Sequence, residues 1–132
     1  MSFFRILPIL ALLAAFSMQA QVDETFELTL EGAELIMANA QVFARDNNAP
    51  GGAIAIVDAG GHLILLHRLT GTFPIASEVA YGKARTAALF KMPSKNLEDG
   101  ILNGRNSLLS VGENMLRGGL PIVYKGKVIG AI

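Results

Sequence analysis

Two apolar runs, Ala53 to Asp58 and His62 to Leu69, are separated only by Ala59-Gly60-Gly61. So short a connection, with a double glycine in it, reverses an extended chain but is too short for a parallel crossover. The pair therefore predicts a β-hairpin, and with it antiparallel pairing. A side-chain period of two places His62, Ile64, Leu66 and Arg68 on one face and Leu63, Leu65, His67 and Leu69 on the other. Both faces are mostly apolar, so both are expected to be covered.

The covering elements are legible on either side. Thr29 is placed to cap a helix from about Leu30 to Asp46, in which Ala33, Ile36, Met37, Ala40, Phe43 and Ala44 recur at helical spacing. Glu31 and Glu34 stand in its first turns, where the macrodipole favours negative charge. The stretch "NNAPGG" ends it. A second helix is expected from about Ile75 to Lys91, with Pro74 tolerated at its first turn and a surface of alanines. Gly82 in its middle costs roughly 1 kcal/mol relative to alanine. Close approach of a neighbouring backbone or a flat ligand would offset that cost, and ordinary helix-to-sheet packing is the plainer explanation. Ser94 is placed to cap a short helix through about Leu102, and Asn103 to Asn114 is the least regular stretch. Pro121 to Tyr124 and Lys127 to Ile132 form a second hairpin around Lys125-Gly126. Helix, two strands, helices, then two more strands is the order of an antiparallel α+β domain.

The chain has 132 residues, the size of one domain with one core. Residues 1–20 stand apart from it, because Arg5 precedes an apolar run from Ile6 to Phe16 followed by Ser17-Met18-Gln19-Ala20. That layout is a secretory signal peptide. The run is shorter than the roughly 20 residues of a membrane span and contains Pro8. The mature chain, residues 21–132, is then expected in the periplasm or outside the cell, with no stable membrane span. Cleavage after Ala20 sets Met18 where a small residue is preferred, so the exact site stays open, and an uncleaved anchor is the alternative. Absence of cysteine leaves such a domain without disulfides or thiolate metal sites.

The chain carries 11 basic and 11 acidic residues, so loss of Arg5 leaves the mature protein near −1. No basic stripe and no interleaved aromatics appear, which speaks against a nucleic-acid partner. The signs are segregated: Asp23, Glu24, Glu27, Glu31 and Glu34 lead, while Lys83, Arg85, Lys91 and Lys95 follow later. Such separation is compatible with a solvated face or with orientation of neighbouring subunits.

His62 and His67 are the two histidines, and on one strand they project to opposite faces, which disfavours a shared metal within one subunit. Each alone is a possible axial ligand of haem iron, as are Met92, Met115 and Tyr81. Ser77 and Ser110 lack the sequence of a nucleophile elbow, and no base stands beside them. The glycine-rich fragments lack the spacing of dinucleotide or phosphate loops. Arg68, Lys83 and Arg85 form the more informative group, since a second helix folded back over the hairpin brings cations to an apolar pocket. A flat acidic ligand suits such a place.

Taken together, "IAIVDAGGHLILLHRLTG", Ser77, "GKARTA", "MPSKNL" and "GGLPIVYKGKVIGAI" resemble the GlcG/HbpS family of haem-binding proteins and the C-terminal domain of PduO proteins. Asp58, Gly61, Arg68, Gly71, Ser77, Lys83, Ala84, Thr86, Ala87, Pro93, Gly118, Gly119, Pro121, Gly126 and Gly130 match the family's pattern. Thr70 replaces a common aspartate and Ser94 a common threonine. The resemblance implies a profilin-like sandwich, an antiparallel sheet flanked by helices, with homo-oligomeric assembly and binding of haem or a related tetrapyrrole. Relatives continue past the last strand into a terminal helix. Its absence after Ile132 implies uncovered apolar sheet surface that recruits a partner or destabilises the domain.

Three functions follow as expectations. The first is an exported haem-binding protein acting in haem or iron sensing or handling, with His67 or His62 on the iron and Arg68, Lys83 or Arg85 on the propionates. The second is an enzyme that degrades haem or processes a small acidic compound, with Asp58 and Glu78 as acid/base candidates, though Asp58 also suits a turn. The third is an oligomeric accessory protein without a small ligand.

Overall fold

The computed structural model describes residues 23–132; the expected signal peptide, residues 1–20, lies outside them. The chain begins with an extended segment and then forms α1 (Leu30–Asp46), β1 (Ala53–Asp58), β2 (Leu63–Arg68), α2 (Ala76–Phe90), α3 (Ser94–Leu102), a 3-10 turn (Asn106–Val111), β3 (Pro121–Tyr124) and β4 (Lys127–Ala131). The strands make one antiparallel sheet in the order β2-β1-β4-β3. This is the expected α+β architecture, and the two hairpins are joined through their first and last strands.

Local chemistry explains the boundaries. The Thr29 hydroxyl accepts the Gly32 N–H at 3.1 Å, closing the first turn of α1. Lys125 and Gly126 both take positive φ, at 45° and 77°, the conformation that a two-residue hairpin turn requires. Lys91 ends α2 in the left-handed region. Ser94 is not the cap expected of it: Pro93 holds that position, and the Ser94 side chain is turned to another task described below.

Helices lie on both faces of the sheet. On one, Ala84, Ala87 and Ala88 of α2 pack on Ala55, Val57 and Ala131. On the other, Ala33 and Met37 of α1 pack on Ile56, with Ile54, Ile64, Leu65 and Ile122 around them. A β-bulge between Ile56 and Val57 shifts the β1–β2 register. It corrects the expected alternation: Ile64 and Leu65 both serve the α1 face, while Leu66 serves the α2 face. A third cluster of Leu97, Leu108 and Met115, with Phe90 and Met92 against it, fixes α3 and the 3-10 turn.

Candidate functional site

β1 and β4 pair through Val57–Ala131 and Asp58–Gly130, and no further. On the far side of β4, Leu120 and Ile132 exchange backbone hydrogen bonds at 2.7 and 2.9 Å. The start of β1 and the Gly118–Leu120 segment flank an open space beside Ile132. A cavity of about 510 Å³ occupies it, roofed by Ala76, Val79 and Ala80 of α2 and floored by Ala40, Phe43 and Ala44 of α1. The size is that of a small-molecule site. Its rim is greasy: Phe43 and Phe73 are 70% and 63% exposed.

Among the described residues Lys83 is the one cationic side chain on the wall. It is half-buried, its stem lies against Gly118, and it has neither a hydrogen bond nor an ion pair among the described residues. The other two cations of the expected group do not join it. Arg85, two residues on, projects from the opposite side of α2. It covers Gly61 at the hairpin turn and donates from Nε to both Glu113 oxygens at 3.2 Å. The Glu113 carboxylate, by hydrogen bond and charge, holds the guanidinium above its ordinary pKa. Arg68 ends β2 exposed, opposite Ala53 on the face that α2 covers.

The histidines occupy different places. His67 is the cross-strand partner of Ile54, a residue lining the cavity, and shares its α1-facing side. Gln41 of α1 holds the His67 ring at Nδ1, with Nε2–Nδ1 at 2.7 Å, which leaves Nε2 of the imidazole for another partner. His62 precedes β2 and belongs to the turn. Asp58 Oδ1 accepts the N–H groups of Gly60 and His62 at 2.8 and 2.9 Å, and the His62 ring meets the same carboxylate at 3.1 Å. Burial pushes the Asp58 carboxyl up, but the His62 amide, the His62 ring and the Gly60 amide together outweigh it and hold the group below the usual carboxylate range. The bulge removes the alternation argument for keeping the histidines apart. Five residues of strand, roughly 3.3 Å each, still separate them. Among the described residues no three metal-ligating side chains gather.

Several other candidates are committed elsewhere. Met92 and Met115 pack in the α3 cluster, and the Tyr81 hydroxyl donates to the Gly61 carbonyl at 3.2 Å. Glu78 is exposed and Ser110 bonds its own turn at Ser107. Gly82 is explained by an unforeseen neighbour. A Cβ there would sit 2.8 Å from that of Asn114, and the Thr86 hydroxyl lies between the Gly82 and Asn114 carbonyls at 2.9 and 2.8 Å. Gln41, Glu113 and Asn114 carried no sequence signal, being ordinary polar residues whose partners lie 26 to 32 positions away.

An antiparallel sheet sandwiched between α1 and α2, with an apolar cavity opening through it, places the protein in the α+β sandwich class. Residues 28–132 match the family described as "Haem degrading protein HbpS-like", and the chain belongs to that family. Protein GlcG of Escherichia coli K12 is 39% identical over 106 residues, covering 80% of this chain and 78% of its own. The crystal structure of HbpS superposes with a TM-score of 0.73 at 26% identity, covering 84% of this chain and 78% of that one. A crystal structure described as a PduOC–haem complex superposes at 0.67 with 25% identity and 80% coverage of both chains.

Proposed function

We propose that this protein is an exported haem-binding protein whose ligand enters the cavity between α1, β1 and α2. The observation that carries the reading is Lys83, a half-buried cation that has no counter-ion among the described residues, in an otherwise apolar wall. A charge so placed is stabilised by an anion arriving with the ligand. Haem matches both requirements, with an apolar macrocycle and carboxylates at its edge. The haem-bound structural neighbour and the family description support the same class of ligand.

Among the described residues the cavity lining includes no histidine, methionine or tyrosine, so the iron ligand is sought at the margin. His67 is our candidate, because it flanks Ile54 and its ring is held by Gln41; ligation of iron by Nε2 requires Nδ1 to carry the proton, with the Gln41 amide turned so that its oxygen accepts it. A fixed ring orientation is what an iron-ligating imidazole needs. Lys83 binds a propionate in this scheme, while Arg68 stands outside the cavity wall and Arg85 and His62 serve the hairpin turn. Export rests on the Arg5 and Ile6 to Phe16 layout, and homo-oligomeric assembly and a role in haem or iron sensing complete the proposal.

Titration of the mature protein with haem, followed at the Soret band, tests the reading. Saturable binding is expected, weakened about tenfold in Lys83→Met and spectrally altered in His67→Ala. Absence of saturable binding by the unsubstituted protein overturns it. Open tetrapyrrole formed with reductant and oxygen would add turnover to binding. The mass of protein recovered from outside the cytoplasm tests export by the loss of residues 1–20.

A further inference from the structure

α1 carries apolar residues on two sides. Ala33 and Met37 are buried against the sheet, yet Leu35 and Val42 are 65% and 44% exposed. At about 100° per residue, Leu35, Ala38 and Val42 fall in one narrow stripe on the side of the helix turned away from the sheet, and Ala38 is exposed with them. Their spacing of three and four is that of a packing seam. None of the three lines either cavity, so the stripe is separate from the space beside Ile132. Its ends are charged, with Glu31 at the start and Arg45 at the finish. Among the described residues Glu31 has no ion pair, and Arg45 meets only its neighbour Asp46, at 3.4 Å with both side chains in solvent. The macrodipole favours each sign at its own end of the helix. It does not place both on the outer side.

We infer that this stripe is a contact between two copies of the chain, their α1 helices running antiparallel about a two-fold axis at Ala38. Ala38 stands midway between Glu31 and Arg45. An antiparallel pair centred there therefore sets Glu31 of each copy level with Arg45 of the other, and Glu34 adds a second carboxylate on the same flank. Leu35 and Val42 lie toward the opposite flank, where Leu35 of one copy comes within roughly 1.5 Å, along the axis, of the level of Val42 in the other. The small Ala38 side chains at the crossing let the two backbones approach, as close helix packing requires. A surface complementary to its own inverted copy is the condition for an isologous interface. The inference specifies the surface of the homo-oligomeric assembly proposed above and rests on that part of the reading, not on haem.

Sedimentation velocity of the mature protein tests it, with circular dichroism to show that each variant is folded. The substituted residues are all exposed, so native spectra are expected throughout. Leu35→Glu should raise the dissociation constant of the pair about a hundredfold. Glu31→Arg and Arg45→Glu, each of which turns two attractions into repulsions, should each raise it about tenfold alone. An equimolar mixture of these two variants should pair with near-original affinity, because every basic position then faces an acidic one. The chain has no cysteine, so mild oxidation should join copies faster through Ala38→Cys, on the axis, than through Leu102→Cys, an exposed position on α3. Protein that stays monomeric at submillimolar concentration overturns both the interface and the proposed assembly. An oligomer that Leu35→Glu and the charge reversals leave unchanged overturns this interface alone, as does a mixture of the two charge variants that fails to pair. Protein that pairs through α1 and takes up no haem upholds the interface and overturns the haem reading.

Discussion

The two halves of α2 do different things with the same small residues. From Ala84 to Ala88 the helix is buried against the sheet, with Ala84, Ala87 and Ala88 at 0% exposure. From Ala76 to Lys83 it spans the cavity, which Ala76 and Ala80 help to line. The second half relies on small side chains to bring backbones together, and Gly119 passes so near that a Cβ on it would press on the Ala87 Cβ and strike the Lys83 carbonyl at the junction of the two halves. The first half relies on the same smallness to leave room. Close packing is thus concentrated at one end of the helix and open volume at the other.

The sharpest way to break this contrast is Gly119→Ala. Its methyl group meets rigid helix backbone and the Ala87 Cβ, which have nowhere to move, so a loss of about 3 kcal/mol in urea unfolding is expected. Ser94→Ala should cost somewhat less, about 2 kcal/mol. The buried Ser94 hydroxyl donates to the Leu116 carbonyl at 2.7 Å and accepts the Gly119 N–H at 2.9 Å, and both groups would be left without it. At the open end of α2, Val79→Phe fills cavity rather than displacing packed atoms. Stability should change by less than about 1 kcal/mol while haem affinity falls at least about tenfold. A Val79→Phe protein as unstable as Gly119→Ala would show that the cavity end is also close-packed in solution, and the contrast would fail.

Much of this was legible in the residues because it is local. The α1 boundaries follow from Thr29 and the apolar spacing, and both hairpins follow from their glycine turns. The bulge at Ile56 and Val57 was not legible, since an unbroken apolar strand reads the same in either register. Nor was the dispersal of the cations. Lys83 and Arg85 are two residues apart in the sequence but on opposed sides of a helix, and the Arg85 partner, Glu113, lies 28 residues on in the least patterned stretch. Gly82 signalled a close neighbour without saying which, because Asn114 reaches it only after the third core cluster has placed the loop.

The smallest effect lies farthest from α2, at the hairpin turn, and it checks that the turn contributes independently of the cavity. Asp58 holds the turn through two backbone N–H groups and the His62 ring. Its folded pKa is depressed, so its ionised form adds stability above the unfolded value of about 3.9, and that contribution is lost as pH falls through the lower folded value. The side chain is 42% exposed, and after solvent screening the contribution of its charge is a few tenths of a kcal/mol, about the size of an exposed ion pair. Asp58→Asn keeps an oxygen for the two amides and removes the charge. The difference in urea midpoint between the two proteins should therefore be present at pH 6 and close on acidification toward about pH 2.5. A difference that persists unchanged at the acid end would assign the contribution to the shape of the turn rather than to the carboxylate charge.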